Sequence, residues 1–313
     1  MDNEKTLNGA AASGGRVPAA GKEKKPLTKA QLKKRQKRIH TWTRAGIQIV
    51  FFLLAPSLFT EAFNGIKSIF QTVSAGEMLE WSAFLRTMCI LCIFTMLAGR
   101  FFCGYACAFG AVGDWIYALS DQIQTRLTRK RKKKTRLPDI PTELQRKLQY
   151  IKYVVLAVIV ALCAFGAYGS LSGWSPWDVF SMLRAGNLRL AGYGLGIVLL
   201  ILIVLGMAWK ERFFCQFLCP MGAVFALLPV LPWTSLRRDR ENCLPRCSAC
   251  EKQCPTAVAL DVDTPRSGEC IRCGKCVGTC PKGNIKTGVP HWKGDEWWAA
   301  VIEAAALLIL VKI

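Results

Sequence analysis

The chain has 313 residues, a formal net charge of +21 and a mean hydropathy of +0.25, although a fifth of its residues are charged. Apolar and charged residues must therefore be segregated, which excludes one ordinary water-soluble domain. Residues 1–44 carry twelve Lys/Arg against three Asp/Glu and residues 121–152 eleven against three, so two segments hold 17 of the 21 excess charges. Such confinement argues against a nucleic-acid-binding surface as the reason for the charge.

Residues 1–40 are rich in Gly, Ala and Lys and contain no apolar run, which predicts a solvated, disordered tail without a cleavable signal peptide. Four apolar segments follow, at about 45–63, 84–99, 150–168 and 190–209, each near the ~20 residues that cross a bilayer. The loops at about 64–83 and 169–189 hold three Lys/Arg and three Asp/Glu. Charge thus alternates across successive segments. The positive-inside rule places the N-terminus and the basic 121–152 segment in the cytoplasm, where contact with anionic headgroups is expected as well.

An internal repeat organises this region. Arg100-Phe101-Phe102-Cys103 to Cys107 and Gly110-Ala111-Val112 recurs without a gap as Arg212-Phe213-Phe214-Cys215 to Cys219 and Gly222-Ala223-Val224, 112 residues later. Each copy ends a two-span unit, which predicts a parallel repeat about an axis along the membrane normal. The apolar stretches 109–119 and 221–231 are too short to span and read as half-helices whose N-terminal ends point at the cysteines. Cys103, Cys107, Cys215 and Cys219 are either small buried side chains or a full ligand set for one shared iron–sulfur cluster.

Cys89, Cys92 and Cys163 lie mid-span and read as core packing. Between spans 3 and 4, Trp174, Trp177 and Asp178 read as interfacial anchors or as part of a quinone pocket. Asp114 reads as a proton relay or as a headgroup-facing acid. His40 and His291, the only histidines, lie outside the spans and cannot be paired in the bilayer, so no intramembrane b-type haem is expected. No dinucleotide or nucleotide-triphosphate fingerprint is present in suitable context, and no self-contained catalytic site is apparent.

After span 4 come Cys243, Cys247, Cys250, Cys254-Pro255 and then Cys270, Cys273, Cys276, Cys280-Pro281. The second run has the C-x2-C-x2-C-x3-C-P spacing of [4Fe–4S] ferredoxins, in which the fourth cysteine serves the neighbouring cluster. Cys243, Cys247, Cys250 and Cys280 are therefore assigned to one cluster, and Cys270, Cys273, Cys276 and Cys254 to another. The first run has one extra residue within Leu244-Pro245-Arg246, which should widen that ligand turn. Zinc knuckles would be paired and well separated, unlike these crowded runs. Reduced cytoplasmic thiols fit cluster ligands better than a disulfide framework. The chain closes with an apolar segment, 297–313, either a last span or a helix lying on the membrane domain.

The expected architecture is an α-helical membrane protein, four spans as a two-fold parallel repeat with a fifth C-terminal helix, joined to a small α+β ferredoxin-like domain. Its divisions are 1–40 (tail), 41–125 (first repeat), 126–148 (basic linker), 149–235 (second repeat), 236–290 (ferredoxin) and 291–313 (C-terminal helix). This set of motifs over about residues 40–290 resembles the NapH/MauN group of ferredoxin-type membrane proteins, with the C-terminal half of NosR as a relative. Ala108 stands where the group has proline. The resemblance implies electron transfer at the inner membrane between a cytoplasmic or quinol donor and a redox partner in the membrane or beyond it, as for a quinol dehydrogenase subunit. The competing class is a maturation or redox-sensing accessory protein. Two [4Fe–4S] clusters are expected, with a third at the repeat cysteines and a quinone as further candidates.

Overall fold

A computed structural model describes residues 29–131, 140–187, 192–231, 236–238, 241–258, 268–287 and 296–312. The first repeat runs through α1 (Lys29–Leu54), α2 (Leu58–Ala75), α3 (Ala83–Ala98) and α4 (Ala108–Arg131). The second runs through α5 (Thr142–Leu148), α6 (Ile151–Ala164), α7 (Pro176–Arg184), α8 (Gly194–Trp209), α9 (Phe213–Phe217) and α10 (Pro220–Leu227). The ferredoxin segment contributes β1 (Leu236–Arg238), α11 (Ala249–Lys252), α12 (Lys275–Thr279) and β2 (Ile285–Thr287), and α13 (Glu296–Lys312) follows. Strand β1 pairs antiparallel with β2, Leu236 opposite Thr287, and so ties the two ends of the cysteine-rich segment together.

The repeat survives in the backbone. The Cys107 N–H donates to the Phe102 carbonyl at 2.9 Å, and the Cys219 N–H donates to the Phe214 carbonyl at 2.9 Å, the same bond 112 residues on. Each five-residue bond closes the wide turn that carries a cysteine pair and ends in an extended residue, Cys107 or Cys219, from which the next helix starts. Aromatic rings lock the copies across their common axis: Phe109 lies 4.2 Å from Phe214 between ring centroids, and Phe102 lies 6.0 Å from Phe225.

Several expectations change. The 45–63 segment is not one straight helix: α1 and α2 meet at a 62° bend, where Pro56 cannot donate a helical hydrogen bond and biases Ala55 away from helix. Thr142–Ala164 is by itself long and apolar enough to cross a membrane, the bent α1–α2 pair passes as a unit, and α3 and α8 are shorter apolar helices. At 16 residues each, α3 and α8 rise roughly 24 Å, because the chain then turns into the cysteine motifs. The supposed half-helix at 109–119 continues as α4 to Arg131, whereas α10 is as short as expected. Helix α1 begins at Lys29, inside the expected tail, since Lys, Arg and Gln are good helix formers. The remainder of the tail, most of the basic run, and His291 lie outside the described residues. Helix α13 packs along α1 and α3, burying Ala300, Ala304 and Leu307.

Glutamines seat the ferredoxin segment on the helices. Gln145 Nε2 donates to the Pro255 carbonyl at 2.8 Å and Gln149 Nε2 to the Thr256 carbonyl at 2.7 Å. Gln216 reaches the same Pro255 carbonyl from the second cysteine turn. On the other side Arg272 Nη1 donates to the Ala98 carbonyl at 2.6 Å and pairs with Glu303 of α13 at 2.9 Å. The approach is close enough that a Cβ on Gly104 would collide with the Ile271 carbonyl, and one on Gly268 with the Ala226 backbone. Gly268→Val is therefore expected to loosen the docked segment by about 1–3 kcal/mol, read as a lower unfolding temperature with faster proteolysis between residues 241 and 287. Unchanged protection would contradict this seating.

Candidate iron–sulfur sites

The two ferredoxin runs close around two separate cavities. Cys243, Cys247, Cys250 and Cys280 line one, and Cys254, Cys270, Cys273 and Cys276 line the other. Each cavity thus takes three cysteines from one run and the fourth from the other. Among the described residues, no group of three or more His, Cys, Asp or Glu side chains is gathered tightly enough for a single ion.

The extra residue in the first run is absorbed locally. Arg246 and Arg272, the residues just before the second cysteine of each run, both adopt left-handed backbone, with φ of 56° and 50°. The two turns therefore end alike, and the insertion is taken up upstream, where the Cys247 N–H closes a turn onto the Leu244 carbonyl at 3.2 Å. Burial pushes the Cys270 thiol up to about 11 and raises Cys273 and Cys276 too. Metal bound at these thiols must displace their protons. At the first cavity Arg238 Nε lies 3.5 Å from Cys243 Sγ, while its Nη1 donates to Glu251 at 3.0 Å.

Cys103, Cys107, Cys215 and Cys219 are all buried, and Cys219 feels the charges of the other three. The Gly222 N–H, in the first turn of α10, donates to Cys219 Sγ at 3.2 Å. The helix start thereby turns an N–H toward the sulfur.

Two arginines cross between the repeats here. Arg212 reaches from the second copy into the first: Nη2 donates to the Gly104 carbonyl at 3.0 Å, Nη1 to the Cys103 carbonyl, and Nε to Asp114 Oδ1 at 2.7 Å. Its Nη1 also stands 3.9 Å from Cys215 Sγ. Arg212 holds left-handed backbone, φ 60°, a cost of roughly 1–2 kcal/mol for a non-glycine residue that this contact set offsets. Arg100 reaches the other way, toward the second copy, where a Cβ on Gly222 would stand 3.0 Å from its Nη2. The equivalent glycine of the first copy, Gly110, makes the same room for Arg212.

Arg100 is balanced by Glu269, the residue before Cys270. Arg100 Nη1 lies 3.3 Å from Glu269 Oε2, and that carboxylate also binds Lys152 Nζ and accepts from the Tyr153 hydroxyl at 3.0 Å. The position 112 residues after Asp114 is Ala226. Gly268 packs on Ala226, so the ferredoxin segment brings the carboxylate that the second repeat lacks.

Asp114 is not a free acid. Arg44, Gln48 and Arg212 all donate to it, at 2.7, 2.6 and 2.7 Å, so the carboxylate ties α1 and the second repeat to α4. Asp178 has Lys67 and Tyr168 as its charged and polar neighbours. Trp177 is buried against Phe63 and Phe214, and Trp174 is 57% exposed. Cys163 is buried in the core, and Cys89 and Cys92 are half-buried on α3. His40 accepts or donates at 3.0 Å with the Tyr105 hydroxyl and abuts Gly274. Glu269, Arg100 and Arg212 were missed as site residues. The two arginines carried a signal, since both belong to the repeated motif; Glu269 carried none.

The family described as a 4Fe-4S binding domain matches residues 83–137 and 191–234. The two matches hold one repeat cysteine pair each and leave out the ferredoxin runs. An uncharacterized protein of Methanocaldococcus jannaschii is 31% identical over 239 residues, 76% of this chain and 83% of that one. The methylamine utilization ferredoxin-type protein MauN of Paracoccus denitrificans is 27% identical over 60% of this chain and 59% of its own. The ferredoxin-type protein NapH of Haemophilus influenzae is 24% identical over 69% of this chain and 71% of its own. No solved structure matches.

Glu269→Ala would leave Arg100 and Lys152, side chains 1% and 0% exposed, buried together without a counter-charge. A loss of about 3–5 kcal/mol in unfolding free energy is expected. Glu251→Ala, whose pair with Arg238 is 36% exposed on the acid's side, should cost about 1 kcal/mol or less. Equal effects of the two substitutions in thermal unfolding would contradict the burial argument.

Proposed function

This chain belongs to the NapH/MauN group of ferredoxin-type proteins, and from that premise we propose that it relays electrons through three iron–sulfur sites held by its twelve motif cysteines. Clusters bound there supply reversible one-electron chemistry over potentials that the surroundings set. Cys243, Cys247, Cys250 and Cys280 hold the first cluster, and Cys254, Cys270, Cys273 and Cys276 hold the second. Cys103, Cys107, Cys215 and Cys219 hold the third where the repeats meet. The observation that carries the third site is the pair of family matches, each containing one of these cysteine pairs, together with burial of all four thiols.

The residues around each site neutralise and position. Arg238 faces Cys243; Arg44 bears on Cys273; Arg100 bears on Cys103 and Cys219; Arg212 faces Cys215. Thiolate-bound clusters are anionic, so cations beside buried thiols offset the cost of taking that charge out of water. Glutamine contacts and the crossed arginines fix the ferredoxin segment against the third site, which keeps the sites in one rigid neighbourhood.

Four membrane crossings with a cytoplasmic ferredoxin segment complete the reading. In its support, Val198, Ile201, Leu202 and Leu205 of α8 and Val154 and Val158 of α6 are exposed, an outward apolar surface suited to lipid. The flanking basic segments fix the orientation. Electrons then pass between a cytoplasmic or quinol donor and a redox partner in or across the membrane.

Iron and acid-labile sulfide counts test the ligand sets. Cys103→Ser with Cys215→Ser is expected to remove roughly one third of both. Cys254→Ser and Cys273→Ser should each extinguish the same paramagnetic signal, and combining them should remove no second one. Iron unchanged in the Cys103/Cys215 variant would overturn the third site; different signals lost in the other two would overturn the exchange of fourth ligands.

A further inference from the structure

Arg100 and Arg212 occupy equivalent places in the repeat, yet their hydrogen bonding differs. Arg212 directs its nitrogens to Asp114, two carbonyls and the region of Cys215. Arg100 is 1% exposed and uses Nη1 on the Gly268 carbonyl, at 3.0 Å, and on Glu269. Its Nε and Nη2 are buried without a hydrogen-bond partner. A buried donor left unmade costs about 1–3 kcal/mol, more on a charged group, so the arrangement is stable only if those N–H groups meet an acceptor. What they face is the four-cysteine site: Nη2 lies against Gly222, beside Cys219, and Cys103 and Cys219 are the thiols that act electrostatically on the guanidinium.

We propose that Arg100 is a potential-setting residue of the four-cysteine site, donating its Nε and Nη2 hydrogens to sulfur there, while Arg212 spends most of its donors tying the repeats together and places only Nη1 near Cys215 Sγ. This inference rests on the reading that those cysteines hold a cluster. Donation from a cation to cluster or thiolate sulfur favours the reduced, more negative form, so it raises the midpoint potential. The chemistry of the donor fits the acceptor: a planar fork with two free N–H directions suits two sulfurs at once better than an ammonium would. The same side chain is bonded through Glu269 to the residue beside Cys270, so the third site and the second ferredoxin cavity share one charged link. Removing Arg100 leaves Glu269 with Lys152 and Tyr153, and no carboxylate is stranded.

The test uses the purified full chain, with iron content and an EPR-monitored redox titration measured on wild type, Arg100→Gln, Arg100→Lys and Arg212→Lys. The third-site signal is the one that Cys103→Ser abolishes. Arg100→Gln is expected to keep the wild-type iron content and move that signal's midpoint to lower potential; Arg100→Lys should move it part of the way, with the two ferredoxin signals unmoved. Arg212→Lys, which loses the bonds to Asp114 and the Gly104 carbonyl, should lower the unfolding temperature more than Arg100→Lys does. A second measurement needs no substitution that could unfold the chain: in wild type carrying ¹⁵N-labelled arginine, electron–nuclear spectroscopy at the third-site signal should show guanidinium nitrogen coupling. That coupling should persist in Arg212→Lys. A third-site signal with full iron content that does not shift in either Arg100 variant, or one with no arginine coupling, overturns the inference alone. If no signal depends on Cys103, the cluster reading fails and takes the inference with it.

Discussion

Everything in this molecule converges on the balance of buried charge around the four repeat cysteines. Arg100 and Arg212 are almost wholly removed from water, a placement that is costly unless each meets a carboxylate and hydrogen-bond acceptors. Asp114 answers Arg212 from within the first repeat and recruits Arg44 and Gln48 of α1 as well. Glu269 answers Arg100, and recruits Lys152 and Tyr153 of α6. The two carboxylates therefore hold α1, α4, α6 and the ferredoxin segment to one point. A duplicated helical unit could have closed on itself with two aspartates. Here the second copy has Ala226 at the corresponding position and depends on the ferredoxin segment, which makes docking of that segment part of the charge balance of the helical domain.

That dependence explains an otherwise odd contact pattern. The ferredoxin segment presents glycine and carbonyl groups to the helices, where larger side chains would stand it away. Gly268 lies on Ala226, Gly104 lies under the Ile271 carbonyl, and the carbonyls of Pro255 and Thr256 accept from Gln145, Gln149 and Gln216. Amide donors satisfy the carbonyls without adding a net charge beside an anionic site.

The cysteine ladder was legible because ligand spacing is a local geometric constraint, and the pairing of runs into two cavities follows from the same rule. The repeat was legible because eight identities recur at one offset. The start of α1 at Lys29 was not, since a run of Lys, Arg and Gln reads equally as solvated tail and as helix former. Nor was the length of α4, whose polar second half from Asp121 to Arg131 hides the continuation of an apolar first half. Asp114 was visible as an odd acid but not as a tie, because Arg44 and Arg212 lie 70 and 98 residues away. Glu269 and Arg100 are 169 residues apart, and nothing local marks either as the other's partner. The left-handed Arg246 shows how a one-residue insertion in the ladder leaves the second cysteine presented as in the uninterrupted run.

We have proposed that the repeat cysteines form a third iron–sulfur site beside the ferredoxin pair. Mössbauer spectroscopy of ⁵⁷Fe-enriched full-length protein, purified without exposure to air, tests it most directly by counting cubane iron per chain. The account predicts about twelve cubane irons, against about eight in the Cys107→Ser/Cys219→Ser variant. About eight in both would contradict it, leaving a two-cluster ferredoxin docked on helices whose four buried thiols only pack.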